Sequence, residues 1–217
     1  MTALCRSIAQ KGFDNISNQI KGAEMVEIRL ETTDLTIEQT RQLFGLHQNM
    51  LATCRPVGLT EKEQTAYLQA AIGGGAAWVD VEIEADDDYR KNIISIARKH
   101  NCKVIVSYHN YTETPQFLEL QQIANIAHSM GADVVKLACM CKSKSDVINL
   151  MNLYNSDYQI LAIGMGAIGS VTRIAAITMN APFTFVATSN ENATAPGQIS
   201  EDIMKILKTK IERQSEQ

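Results

Sequence analysis

Val26-Glu27-Ile28-Arg29-Leu30-Glu31 alternates an apolar residue with a charged one over six positions. The two-residue period of a strand puts Val26, Ile28 and Leu30 on one face and Glu27, Arg29 and Glu31 on the other. Alone, this reads as an edge strand with its polar face in water. Val79-Asp80-Val81-Glu82-Ile83-Glu84 repeats the pattern, however. A third run ends in Thr53 and Arg55, a fifth in Ser107 and His109, and a sixth carries Lys136 within Val-Val-Lys-Leu-Ala. Five successive strands cannot all be edges. An isolated buried charge costs several kcal/mol, so buried charges persist when they pair and when they serve a site. A barrel of parallel strands provides for this, with one parity of side chain packing against the helices and the other pointing inward.

Working outward, apolar β-branched runs recur at 3–7, 26–30, 51–55, 78–83, 103–109, 134–140, 159–165 and 183–188. Helical patterns at three- and four-residue spacing lie between them, as at 115–129 and 143–154. Thr114 before Pro115 and Ser143 mark two helix starts, and Gly131 and the glycines at 73–75 punctuate helix-to-strand connections. Eight strands alternating with helices predict parallel pairing through crossovers and closure into a (β/α)8 TIM-type barrel. An open doubly wound sheet is the rival. At 217 residues the barrel must have short loops. One domain is expected over 1–213, followed by a frayed tail at 214–217.

The bulk numbers exclude other classes. A net charge of -4 argues against nucleic acid as the main partner. No apolar run reaches the roughly 18 residues of a membrane helix, and the N-terminal stretch lacks the apolar centre of a secretory signal. Five cysteines, irregularly spaced and without a C-x-x-C, read as buried thiols in a reducing compartment, hence a cytoplasmic protein with no metal site.

Lys136 carries the most chemistry. One reading is a structural ion pair with an acid. The other is an amine that condenses with a carbonyl, which needs a neutral nitrogen. Burial beside Arg29 or Arg55 favours that state and the acids Glu27, Glu31, Asp80 and Glu82 oppose it, so the balance stays open. His109 ends the fifth strand, at the end of a barrel where active sites lie, and suits a general acid and base. His47, His100 and His128 fall elsewhere and read as surface or packing residues. Gly164-Met165-Gly166-Ala167-Ile168-Gly169 matches G-x-G-x-x-G but follows the seventh strand, and the position about twenty residues on lies near Ser189 and Asn190 rather than at an acid. Dinucleotide binding is therefore not expected. The glycines instead let the backbone approach a ligand, Arg173 can pair with a carboxylate, and the polar loop 192–198 can present Thr194 and Gln198 over the barrel mouth.

Taken together, E-I-R-L-E (27–31), T-C-R (53–55), V-D-V-E (79–82), S-Y-H (107–109), D-V-V-K-L-A (133–138), M-G-x-x-G-x-x-x-R (165–173) and A-P-G-Q-I-S (195–200) resemble type I 3-dehydroquinate dehydratase, a Schiff-base lyase of the shikimate pathway. The resemblance implies that Lys136 forms an imine with 3-dehydroquinate. His109 would then move a proton from C2 to the leaving hydroxyl to give 3-dehydroshikimate, with no cofactor. It also implies that Arg173, Gln198 and Thr194 hold the carboxylate end, that Glu27, Arg29 and Arg55 hold the ring hydroxyls, that Met165 supports the site, and that the enzyme is a homodimer. The family places a glutamate four residues after the third-strand arginine, beside the histidine. Leu59 stands there in this chain; Glu61, close in sequence, is the candidate substitute if the loop is shifted, and Glu82 is a further candidate support of the site. The family also favours aspartate at Glu31 and serine at Thr194. Two competing readings remain: another Schiff-base barrel, of aldolase type, acting on a sugar phosphate, and a quinate-binding sensor weakened by the change at Leu59.

Overall fold

Eight parallel strands order themselves as β7-β6-β5-β4-β3-β2-β1-β8 in the computed structural model, which describes residues 2–188 and 194–215. They are β1 (Ala3–Ile8), β2 (Met25–Arg29), β3 (Met50–Thr53), β4 (Trp78–Glu82), β5 (Lys103–Asn110), β6 (Val134–Met140), β7 (Ile160–Met165) and β8 (Phe183–Val186). Between and after them run α1 (Phe13–Ile20), α2 (Ile37–Phe44), α3 (Glu61–Gly74), α4 (Asp87–Lys99), α5 (Phe117–Ser129), α6 (Lys144–Asn152), α7 (Gly166–Gly169), α8 (Val171–Ala175) and α9 (Glu201–Ser215). This is the expected (β/α)8 barrel. It is nearly closed: among the described residues β7 and β8 share no ladder. No described helix is long and apolar enough to cross a membrane.

Local chemistry explains several helix starts. Thr36 with Gln39, Thr60 with Glu63 and Ser143 with Asp146 form capping boxes that satisfy the first free amides of α2, α3 and α6. α5 departs from expectation and begins at Phe117, after Thr114 and Pro115. The Thr114 hydroxyl donates instead to the Met140 carbonyl at 2.9 Å and so ties this loop to β6. Gly75 ends α3 in the left-handed conformation, as a glycine can. α9 continues to Ser215, past the expected boundary at Arg213; residues 216 and 217, expected to belong to the frayed tail, lie outside those described.

The strand parity read from the sequence separates two packing layers. Val26, Ile28, Leu30, Val79 and Val81 face outward into the layer shared with the helices. The inward parity builds storeys. Cys5, Leu51, Ile105, Val134, Leu161 and Phe183 form an apolar floor. Two residues further along their strands stand Ser7, Thr53, Ser107, Lys136 and Phe185, joined on β2 and β4 by Glu27 and Asp80. In-register pairs such as Ser7 with Glu27, Thr53 with Asp80 and Ser107 with Lys136 make this second storey a wholly buried ring, polar except at Phe185 and Ile163. Arg29, Arg55, Glu82 and His109 rise above it at the C-terminal rim.

Candidate active site

Asp80 is the pivot of the polar ring. Its Oδ2 accepts from both Arg55 Nη2 and Lys136 Nζ at 3.0 Å, while Ser107 Oγ donates to Oδ1 at 2.6 Å. Arg55 Nη1 also donates to Ser107 Oγ at 3.2 Å and lies 3.4 Å from Glu82 Oε1. Burial alone would push the Asp80 carboxyl up, but Arg55 and Lys136 outweigh it and hold it well below the usual range. Burial likewise works against charge on Arg55, and Asp80 with Glu82 more than offsets this, so its pKa rises. Lys136 is 5% exposed and its Nζ also lies 4.9 Å from the centre of the Phe185 ring.

A second network runs along the opposite wall. Glu27 accepts from Ser7 Oγ and, at 2.9 Å, from Thr53 Oγ1. Thr194 Oγ1 bonds Ser7 Oγ at 2.9 Å, and Gln198 Oε1 accepts from the Thr194 amide at 2.7 Å. Glu31 steadies both neighbouring arginines, taking Arg29 Nε at 2.7 Å and the Arg55 backbone amide at 3.2 Å.

His109 sits on the rim with its ring stacked near Tyr111, 5.9 Å between centres and 12° between planes. Burial and then the Lys136 charge push its pKa down to about 4, against the raising effect of Glu82, so the neutral imidazole prevails near pH 7. Its Nδ1 is buried and has no hydrogen bond among the described residues; Glu82 Oε1 stands 3.5 Å away, too far for one of good geometry. His109 and, after the effect of burial, Arg55 hold the Glu82 carboxyl below its usual range.

Arg173 is carried by α8 at the seam between β7 and β8. Gly164 N donates to Thr172 Oγ1 at 2.8 Å and Thr184 Oγ1 donates to the Arg173 carbonyl at 3.1 Å, so α8 stitches the two strands together. Arg173 is 2% exposed, and its Nε and Nη2 have no partner among the described residues. Burial without a counter-charge lowers its pKa to about 10. It stays cationic at neutral pH.

The glycine motif proves to be a packing device. A Cβ on Gly164 would stand 2.6 Å from Gly169 Cα, so the two glycines let β7 and α7 touch backbone to backbone. Gly197, at φ +76°, would place a Cβ 2.3 Å from the Gly166 carbonyl oxygen, and Gly166 N donates to the Pro196 carbonyl at 3.2 Å. The expected approach of backbone to ligand is thus an approach of backbone to backbone, which clasps the loop at 194–198 to the β7 end. Asn192 and Ala193 of the expected polar loop lie outside the described residues.

One pocket of about 560 Å³, counting its open mouth, gathers Glu27, Arg29, Arg55, His109, Lys136, Met165, Arg173, Thr194 and Gln198. Glu61 is not among them. It opens α3 and lines a neighbouring recess with Cys54, Gln64, Glu84 and Tyr89, because the capping box at Thr60 fixes the start of that helix. Glu82 lines the same recess from the barrel side and abuts His109. Leu59 packs against the outer core. Sequence reasoning passed over Ser7, Tyr111 and Phe185. Ser7 was findable as the polar residue of inward parity in β1, and Tyr111 as the aromatic just past the His109 strand end. Phe185 looks like any core phenylalanine.

The profile of the type I 3-dehydroquinase family matches residues 4–212. A 3-dehydroquinate dehydratase of Methanosarcina barkeri (strain Fusaro / DSM 804) is 32% identical over 207 residues, 86% of this chain and 85% of the relative. One from Desulfotalea psychrophila (strain LSv54 / DSM 12343) is 28% identical over 210 residues, 91% of this chain and 92% of the relative. The solved type I 3-dehydroquinate dehydratase of Clostridium difficile, with covalently modified comenic acid, superposes with a TM-score of 0.87 at 22% identity, covering 98% of this chain and 93% of that one.

Proposed function

Because the chain belongs to the type I 3-dehydroquinase family, we propose that its pocket dehydrates 3-dehydroquinate to 3-dehydroshikimate through an imine on Lys136. The amine attacks the C3 ketone and water leaves, giving a protonated imine. That group is an electron sink, so the C2 proton becomes acidic and no metal or organic cofactor is required of the step. His109, neutral at physiological pH, takes the C2 proton and returns it to the C1 hydroxyl, which departs as water. Hydrolysis of the imine frees the product and restores the amine.

The pocket supplies a role for each neighbour. Asp80 holds Lys136 in place beneath the ketone and shares the same oxygen with Arg55. Arg173 takes the substrate carboxylate, with Gln198 and Thr194 beside it. Glu27, Arg29 and Arg55 receive the ring hydroxyls, and Met165 closes the apolar side. The observation that carries the reading is a buried amine in the same pocket as a buried arginine whose Nε and Nη2 have no partner among the described residues. A buried cation left unpaired is costly, and a carboxylate ligand would offset that cost.

The test is direct. Incubation with 3-dehydroquinate should raise the ultraviolet absorbance of the conjugated enone. Borohydride reduction with substrate present should add the ligand mass to the peptide containing Lys136, and Lys136→Ala should lose both signals while substrate still protects the protein from unfolding. An absence of enone and adduct in the unaltered protein refutes the proposal; cleavage of a sugar phosphate instead would make it an aldolase-type barrel.

A further inference from the structure

We propose that Glu82 is the positioning residue for His109, setting its tautomer and ring orientation from β4. The inference rests on the imine reading of the pocket and adds to it the device that aims the base. Among the described residues His109 Nδ1 is buried without a hydrogen bond, and Glu82 Oε1 faces it at 3.5 Å. A buried imidazole N–H left unsatisfied costs free energy, so the arrangement has one economical outcome: a small rotation closes the gap when the site fills. Glu82 is itself held. Arg55 Nη1 lies 3.4 Å from the same Oε1, and β4 pairs Glu82 with Ser107 in the strand that carries His109. The carboxylate therefore has a fixed cation on one side and the ring on the other.

An acceptor at Nδ1 keeps the proton there and leaves Nε2 bare, the state a base needs. The other titratable groups that face the ring are Lys136 from β6, Arg55 just past β3, Asp80 from β4 and Tyr111, stacked on the ring from the loop after β5; the two cations lower its proton affinity, and Glu82 and Asp80 raise it. Glu61 has no comparable place, since it lines the far side of the recess behind Glu82. Leu59 is packed into the outer core and has no polar atom to offer.

The experiment compares Glu82→Gln, Glu82→Leu and Glu61→Gln with the unaltered enzyme in steady-state kinetics across pH, with borohydride trapping in parallel. Gln retains an acceptor without the charge, and Leu retains neither. Expected is a kcat that falls through Gln to Leu, by on the order of 10–100-fold at the end of the series, as for other carboxylates that orient an imidazole. KM should move much less, because Arg55 keeps Asp80 and Ser107. Trapped imine should persist, since the loss follows its formation. With the negative charge gone, the acid limb of kcat/KM should move to lower pH in Glu82→Gln and stay in place in Glu61→Gln. Should the Glu82 variants fail to fold, the ring ¹⁵N shifts of His109 in the unaltered protein decide: protonated Nδ1 with bare Nε2 supports the assignment, and the opposite tautomer overturns it. Normal turnover and an unmoved profile in the Glu82 variants, with imine still trapped, also overturn it, as does a shift confined to Glu61→Gln. Absence of trapped imine in the unaltered enzyme would instead remove the underlying reading of the pocket.

Discussion

Replacing Asp80 with leucine tests the electrostatic account of the barrel interior most severely. The side chain is 1% exposed and receives Arg55 and Lys136 at 3.0 Å and Ser107 at 2.6 Å. Leucine leaves both cations buried, with the Glu82 carboxylate at 3.4 Å and the Ser107 hydroxyl at 3.2 Å remaining to Arg55. Removing one partner of a buried ion pair costs about 3–5 kcal/mol. For a domain of this length about 2–4 °C is lost per kcal/mol, so the melting temperature should fall by roughly 10 °C. Thermal unfolding followed by circular dichroism reads this. A second replacement, Lys136→Met, relieves one of the stranded cations, so in the double variant the two losses should be less than additive by about 1 kcal/mol or more. Acid behaviour gives a second reading. The Asp80 pKa is depressed on folding, so its contribution is fully present above the unfolded value near about 3.9 and is lost as pH falls through the lower folded value. The unaltered protein should therefore lose stability in acid more steeply than Asp80→Leu does. A melting temperature unchanged within about 2 °C, or strictly additive losses, would refute the reasoning.

The remaining expectations concern the chemistry and the loop. His109→Ala should accumulate reducible imine without forming enone; normal turnover would remove His109 from the mechanism. A histidine held down to about 4 charges only in acid, so kcat/KM should hold from neutral pH downward and fall as pH drops through about 4, and a limb near 6.5 would show a solvated ring instead. Arg173→Met should raise the melting temperature of the ligand-free protein by a few degrees, because an unpaired buried cation is gone, while KM rises on the order of 100-fold. A destabilised variant would mean that Arg173 has a protein partner after all. Gly197→Ala forces a Cβ toward the Gly166 oxygen at φ +76°, which costs about 1–3 kcal/mol of strain locally; KM should rise as the clasp opens, read by steady-state kinetics.

The barrel was readable because a strand has only two faces. Once Val26, Ile28 and Leu30 were assigned outward, Glu27 and Arg29 had to point inward, and closure accommodated five such strands better than the rival open sheet did. Lys136 was conspicuous for the same reason. What parity does not convey is which inward residues meet across the barrel, since that depends on stagger and tilt. The acids and bases were thus readable as a balanced cluster, but not Asp80 as the one carboxylate shared by Arg55 and Lys136. Loops escape the period altogether. Where Glu61 lies turned on where the Thr60 cap starts α3, and the glycine motif on contacts between segments that no spacing rule connects. Ser7, a single small polar residue in an apolar strand, gave almost no signal of the bridge it forms between Glu27 and Thr194.

The gap between β7 and β8 has a consequence for how this barrel and its ligand depend on each other. Every other neighbouring pair of strands is joined by main-chain bonds, whereas here two threonine hydroxyls and a short helix span the opening. That same helix bears the cation proposed to grip the substrate acid. An anion seated there would work as a keystone: it would neutralise the wedge that fills the breach, so occupancy and wall rigidity are expected to rise together.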